Sequence, residues 1–203
     1  ARQVPGIKHC FIGSGIRYDL CLSDTGNKEV DKTNRRYLET VIRHHVSGRF
    51  KVAPEHCSPT VLGLMRKPAF GLFQQLKSIF DEINRKHRLN EQIIPYFISS
   101  HPGCRPEDMA KLAVATKTLD FKLEQVQDFT PTPMTVATTI YYSGYHPYSL
   151  QKIDTAKSEK EKKQQNMFFF WYKREFREQI MTLLRRIHRA DLIPKLYGKE
   201  REK

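Results

Sequence analysis

The chain has 203 residues, 39% hydrophobic and 28% charged, with 11 Pro and 10 Gly, a balance that can bury a core and excludes wholesale disorder, collagen and coiled coil. No run approaches the roughly 18 consecutive apolar residues of a membrane-spanning helix, and the first residues lack the basic-then-apolar order of a secretory signal. Thirty-five Lys and Arg against 22 Asp and Glu give a net charge of +13. The length suits one large domain or a domain with an appendage, and a start at Ala1 directly before a strand-like run is what an excised piece would show.

Four short apolar runs carry strand signals: residues 7–16 (IKHCFIGSGI), 50–54 (FKVAP), 92–99 (QIIPYFIS) and 123–129 (LEQVQDF). Each is rich in Ile, Val or Phe and is closed by Gly, Pro, Ser or Asp. The near-continuous apolarity of the first and third predicts burial on both faces. Helical spacing lies between them. Tyr37, Leu38, Val41, Ile42 and His45 share one stripe, and Phe73, Leu76, Phe80 and Ile83 continue the pattern further on. Ser58-Pro59 reads as an N-cap followed by Pro at the first helical position, with Val61, Leu62 and Met65 facing inward. Pro106-Glu107-Asp108 opens another helix with acidic residues in its first turn, followed by Met109, Leu112 and Ala113.

Strands alternating with helices predict an α/β fold with a parallel sheet. Such crossovers collect the strand C-termini on one edge, where α/β proteins bind ligands. That edge would carry Ser14-Gly15, Glu55-His56, Ser99-Ser100-His101, and Asp128 with Thr130. Glu55 and Asp128 are placed to accept hydrogen bonds from a ribose diol; surface carboxylates or salt-bridge partners satisfy the same pattern. The turn His101-Pro102-Gly103 can bring backbone N–H groups close to a ligand, or serve as an ordinary strand–helix turn.

After Pro133 the composition changes. Residues 134–144 are rich in Thr and Tyr, and residues 145–154 read as an irregular aromatic loop. Ser158-x-x-Glu161 is a capping-box pattern that predicts a long helix through Met167, Phe168, Trp171, Tyr172, Phe176, Ile180, Leu183, Leu184 and Ile187. Residues 135–203 hold 15 basic and 8 acidic side chains, against 20 and 14 in residues 1–134. A basic helix of this kind suits RNA, or is the solvated face of a helix docked on its own domain.

The cysteines at 10, 21, 57 and 104 are scattered, with no Cys-x-x-Cys pair. Their spacing predicts reduced, buried thiols of a cytoplasmic protein rather than disulfides or a zinc centre, although His9, His56 and His101 lie near three of them.

Five segments carry a family resemblance: IGSGIRYD (residues 12–19), HHVSGRFKVAPEH (44–56), LMRKP (64–68), IPYFISSHPG (94–103) and EQVQDFTPTPMTVATTIYYSG (124–144). Running in order through about residues 4–150, they resemble the C-terminal half of the YgiQ-type radical SAM proteins, and the basic tail resembles that family's C-terminal extension. The resemblance implies the last four β/α units of a partial (β/α)6 TIM-like barrel over residues 1–134 and a helical extension over residues 135–203. It also implies an iron–sulfur enzyme in which a [4Fe–4S] cluster reductively cleaves S-adenosylmethionine to a 5′-deoxyadenosyl radical that attacks an unidentified substrate. The implied cofactor-binding set is Ser14, Gly15, Glu55, His56, Ser99, Ser100, His101, Gly103, Gln127 and Asp128. Gln125 and Val126 precede the last two on the final strand. The three-cysteine cluster motif does not occur in these 203 residues, so this chain alone is expected to be inactive. A non-catalytic basic RNA-binding module is the rival expectation.

Overall fold

A computed structural model describes residues 2–123 and 126–198. In chain order the elements are α1 (Tyr18–Leu22), α2 (Lys28–His44), β1 (Arg49–Glu55), α3 (Pro59–Met65), α4 (Phe70–His87), β2 (Gln92–Ser99), α5 (Pro106–Thr118) and β3 (Val126–Asp128). There follow α6 (Val136–Ser143), α7 (Glu159–Asn166), a 3₁₀ turn (Met167–Phe170), α8 (Arg174–Arg186), a second 3₁₀ turn (Ala190–Leu192) and α9 (Ile193–Tyr197). The protein is α/β, with a three-stranded parallel sheet in the order β1-β2-β3. In the β2–β3 pair, Phe97 stands opposite Val126, Ile98 opposite Gln127 and Ser99 opposite Asp128.

Three of the four expected strands form. Residues 7–16 do not: they carry no strand, and Ile12 N–H is spent on the His45 carbonyl at 2.9 Å. Gly13 and Gly15 raise the entropic cost of extending this segment. Ile7 and Phe11 are 45% and 51% exposed, so two-sided burial is not achieved. Residues 124 and 125 of the fourth expected strand lie outside the described residues, and β3 is described from Val126.

The chain divides into two compact units. The first comprises the described residues up to Pro54 together with Pro68–Tyr96. Its helices α1, α2 and α4 pack on one another. Leu38, Val41 and Ile42 of α2 and Phe73, Leu76, Phe80 and Ile83 of α4 are buried, as their spacing requires. Tyr37, on the same predicted stripe, is instead 49% exposed. Phe50 of β1 stacks on Phe80 at 5.6 Å. Asn27 caps α2 by accepting the N–H groups of Glu29 and Val30.

The second unit comprises Glu55–Lys67 together with the described residues from Phe97 onward. Here α5 buries Met109, Ala110, Leu112 and Ala113 and packs against α7, α9 and the first 3₁₀ turn. The predicted capping box forms, with Ser158 and Glu161 satisfying each other's backbone N–H groups. The single long helix expected after it is broken: α7 ends at Asn166, the 3₁₀ turn follows, and Lys173 is extended before α8 begins. Four consecutive large apolar residues explain the break, because successive side chains on a straight α-helix point about 100° apart. Tightening and redirecting the chain buries Met167, Phe168 and Phe169 together.

Polar side chains fasten the tail to this unit. The buried Gln165 amide accepts the Ser100 N–H and donates to the Cys104 carbonyl, both at 2.8 Å. Tyr172 donates to the Leu123 carbonyl at 3.2 Å, and Lys117 Nζ donates to the carbonyls of Lys195 and Leu196. Gly103 N–H donates to the Asp154 carbonyl at 2.8 Å.

Gly103 sits at φ +82°, and an added Cβ would lie 2.4 Å from Leu64 Cδ1. Gly103→Ala is therefore expected to cost about 1–3 kcal/mol through left-handed strain and displacement of Leu64. A denaturant midpoint no lower than that of the parent would contradict this.

Candidate functional site

A cavity of about 630 Å³ opens at the carboxyl ends of the strands, a volume in the range of small-molecule sites. Glu55 ends β1, Ile98 belongs to β2, and Gln127 and Asp128 end β3. Leu64, Met65, Arg66 and Lys67 come from the end of α3, and His101, Phe129, Thr130 and the residues around the start of α6 complete the lining. Two non-glycine residues at strand ends hold left-handed backbone, Glu55 at φ 65° and Ser100 at φ 60°. Conformations of this kind persist where surrounding structure enforces them, and they cluster at ligand sites.

Each polar group is placed by an identifiable local cause. α3 ends in a left-handed turn at Arg66, with the N–H of Lys67 bonded to the Leu62 carbonyl. The turn brings Lys67 Nζ to 3.1 Å from Glu55 Oε1. Lys67 is 38% exposed, so this pair lies in the weak class of about 0–1 kcal/mol and is readily exchanged for a ligand. The Asp128 carboxylate accepts from the hydroxyl of Ser99, its partner in the sheet register, and from Asn166 Nδ2 at 3.1 Å. His101 is buried, donates through Nδ1 to the Pro102 carbonyl at 2.9 Å, and meets Phe129 edge-on at 5.0 Å. Burial lowers its pKa, which keeps the ring neutral near pH 7.

The expected site residues thus separate. Glu55, His101, Gln127 and Asp128 line the cavity. Ser99 supports Asp128 from the buried side, and Ser100 is buried with a hydroxyl that has no partner. His56 is fully buried and turned away from ligand chemistry. Its Nδ1 accepts the N–H groups of Cys57 and Ser58, both at 2.9 Å, and Nε2 meets Cys104 Sγ at 3.5 Å. His56 thereby fixes the turn that leads into α3, whose N-cap residue Ser58 makes no side-chain capping bond. Gly103 is held by its bond to Asp154, and Leu64 occupies the space that a Cβ would need. Ser14 and Gly15 belong to the other unit, where a Cβ on Gly15 would come within 3.2 Å of the Lys51 carbonyl. Gln125 lies outside the described residues.

Four contributors escaped the strand-end reasoning. Lys67 sits in the LMRKP segment, where a helix ended by Pro68 was a usable signal. Phe129 directly follows Asp128 and was within reach of the same logic. Gln165 and Asn166 had none, since polar residues on an exposed-looking helix give no hint of burial 38–65 positions away.

Among the described residues no group of three His, Cys, Asp or Glu side chains could hold a metal ion. Burial pushes the Cys57 thiol up to about 12 and raises that of Cys104 as well, so both stay protonated. No helix among the described residues is long and apolar enough to cross a membrane.

With the cavity and its supports described, comparison with known proteins supplies the relationship. A family described as "Domain of unknown function (DUF3362)" matches residues 124–200. The chain carries a DUF3362 domain, and its relatives are UPF0313 proteins, the YgiQ family. It is 60% identical over 97% of its length to a UPF0313 protein of Bacteroides thetaiotaomicron. The values are 58% over 96% for one of Porphyromonas gingivalis, and 41% over 95% for one of Methanocella arvoryzae. The chain spans about a third of the length of these relatives, 32%, 31% and 30% respectively. The DUF3362 match begins before β3 and includes Asp128, Gln165 and Asn166, so one wall of the cavity and two of its supports fall within that domain.

The buried His56 carries a pH prediction. Burial lowers its pKa from 6.5 to about 4. Between those values the unfolded chain binds a proton that the folded one excludes, so stability is complete above about pH 6.5 and falls as the pH drops toward 4. The loss is expected to reach at most about 3 kcal/mol. His56→Gln should flatten this part of the stability profile, whatever it does to stability at neutral pH. Equal slopes in the two proteins, measured by denaturant titration at stepped pH, would remove His56 as the cause.

Proposed function

We propose that this chain supplies the nucleoside-binding part of a radical SAM enzyme, with the cavity at the strand ends taking S-adenosylmethionine. The observation that carries the reading is the pair of carboxylates, Glu55 at the end of β1 and Asp128 at the end of β3, lining one cavity with Phe129 and His101. Carboxylates in that setting accept both hydrogen bonds of a ribose diol, as they do at the strand ends of dinucleotide-binding sheets. Leu64, Met65, Ile98 and Val136 offer apolar contact for a purine, with the Phe129 ring beside them. Lys67, released from Glu55, would face the cofactor's carboxylate. The sheet then corresponds to strands of a larger partial barrel.

Bound S-adenosylmethionine would supply an adenosyl group for radical hydrogen abstraction. The residues of this chain bind and orient it, present the Glu55 and Asp128 carboxylates to the ribose, and exclude water through the apolar lining. The described cysteines do not fit an iron–sulfur cluster, because Cys104 is buried, Cys57 is half-buried beside it with its thiol held protonated, and no third ligand joins them. No step through a cluster is therefore assigned to this chain.

Calorimetric titration of the 203-residue protein with S-adenosylmethionine is expected to show one site. Glu55→Gln and Asp128→Asn should each weaken it roughly 10-fold or more, since each leaves one hydroxyl contact poorly matched. Saturable binding that neither substitution alters would remove both carboxylates from the site. Separately, a full-length relative with its iron and sulfide reconstituted anaerobically should release 5′-deoxyadenosine on reduction, and its failure to do so would count against the reaction class alone.

A further inference from the structure

We propose that Tyr142, Tyr145 and Tyr148, with Lys152, Lys157 and Lys162, form a binding surface for single-stranded nucleic acid. The three tyrosines are 69%, 49% and 74% exposed. Isolated exposed rings are ordinary, but these recur every three residues, from the last turn of α6 into a loop that is tied down on itself. Tyr145 bridges to Lys152, the His146 N–H donates to the Gln151 carbonyl at 2.8 Å, and the Ile153 N–H donates to the Gly144 carbonyl at 2.8 Å. His146 Nδ1 accepts the N–H groups of Tyr148 and Ser149. Rings presented on so constrained a backbone have little left to order on binding.

The charges around these rings decide the kind of partner. Asp154 is held by Arg105, Glu161 is consumed by the N-cap of α7, and Glu159 faces Lys163. Among the described residues no carboxylate pairs with any of the three lysines. Lys157 Nζ donates to the Tyr142 carbonyl at 2.9 Å, and Lys162 lies 5.4 Å over the Tyr141 ring, itself edge-on to Tyr142. Cations are thus interleaved with stacking faces, the pattern that lets bases stack while phosphates meet ammonium groups. Helix α8, the basic segment favoured by sequence, is the poorer candidate. Arg177 lies on the Tyr197 ring at 5.0 Å, and Glu175 and Glu178 share its exposed surface.

A chain of rings connects this surface to the cavity. His101 meets Phe129 at 5.0 Å, Phe129 meets Tyr141 at 5.7 Å, and Tyr141 meets Tyr142 at 5.3 Å. A strand held on the tyrosines would therefore start beside the cavity wall. The surface stands on its own residues, whether or not the cavity takes S-adenosylmethionine.

Fluorescence anisotropy with labelled oligouridylate and oligothymidylate, each against a duplex of equal length, tests the assignment. Single strands should bind more tightly than duplex at low salt, and the two sugars show whether RNA is preferred over DNA. Tyr148→Ala and Tyr142→Ala should each weaken binding roughly 5- to 100-fold. Both rings are largely exposed, so the thermal midpoint should not change. Replacing the three lysines together with Gln should reduce the salt slope by about 2, at roughly 0.7 per phosphate contact. Absence of single-strand binding at low salt overturns the proposal. So does binding that survives the tyrosine substitutions, or binding lost only when Arg174, Arg177 and Arg186 of α8 become Gln.

Discussion

One buried amide governs the geometry of the second unit. Gln165 sits on α7 far along the chain, yet both ends of its side chain are committed to the corner after β2: the Ser100 N–H on one side and the Cys104 carbonyl on the other. Each of these backbone groups would be left unsatisfied in a buried setting without it, at about 1–3 kcal/mol apiece. With the amide in place, Ser100 is held in a left-handed conformation, and His101 is delivered against Phe129 at the cavity wall. The next residue, Asn166, fixes the carboxylate of Asp128. Consecutive side chains of one short helix thereby set two strand ends at once.

This arrangement changes how the C-terminal region is understood. A basic, Lys-rich helix after a capping box reads as an appendage, and its charge draws attention to its surface. Within the unit it contributes two uncharged side chains on its inner face and the apolar Met-Phe-Phe run that ends it. The DUF3362 match over residues 124–200 takes in Asp128 of the cavity wall as well as the Gln165 and Asn166 side chains that support the strand ends. The cavity and the tyrosine surface lie at opposite ends of the ring chain from His101 to Tyr142.

Much of this was legible in the sequence, for local reasons. Short runs rich in Ile, Val and Phe announce the strands of Phe50, Val52, Ile93 and Phe97, although burial along 92–99 alternates rather than covering both faces, and Leu76, Phe80 and Ile83 announce their helix by 3–4 spacing. Glu55 and Asp128 could be placed together since parallel crossovers align strand C-termini. The failures are equally physical. Residues 7–16 have strand composition, but a strand needs a neighbour as well as apolar side chains, and glycines lower the tendency to extend. His56 looked like a site residue by position, yet its ring is consumed in fixing the turn before α3. Gln165 and Asn166 act through contacts that no spacing rule reports.

The assignment of the cavity is tested most directly by a crystal structure of the protein grown with S-adenosylhomocysteine, a stable analogue of the cofactor. The ligand is expected at the ends of β1 and β3, with ribose hydroxyls at hydrogen-bond distance from Glu55 or Asp128 and Lys67 turned from Glu55 to the ligand carboxylate. An analogue bound elsewhere, or a cavity that stays empty at saturating concentration with the Glu55–Lys67 pair intact, would contradict it.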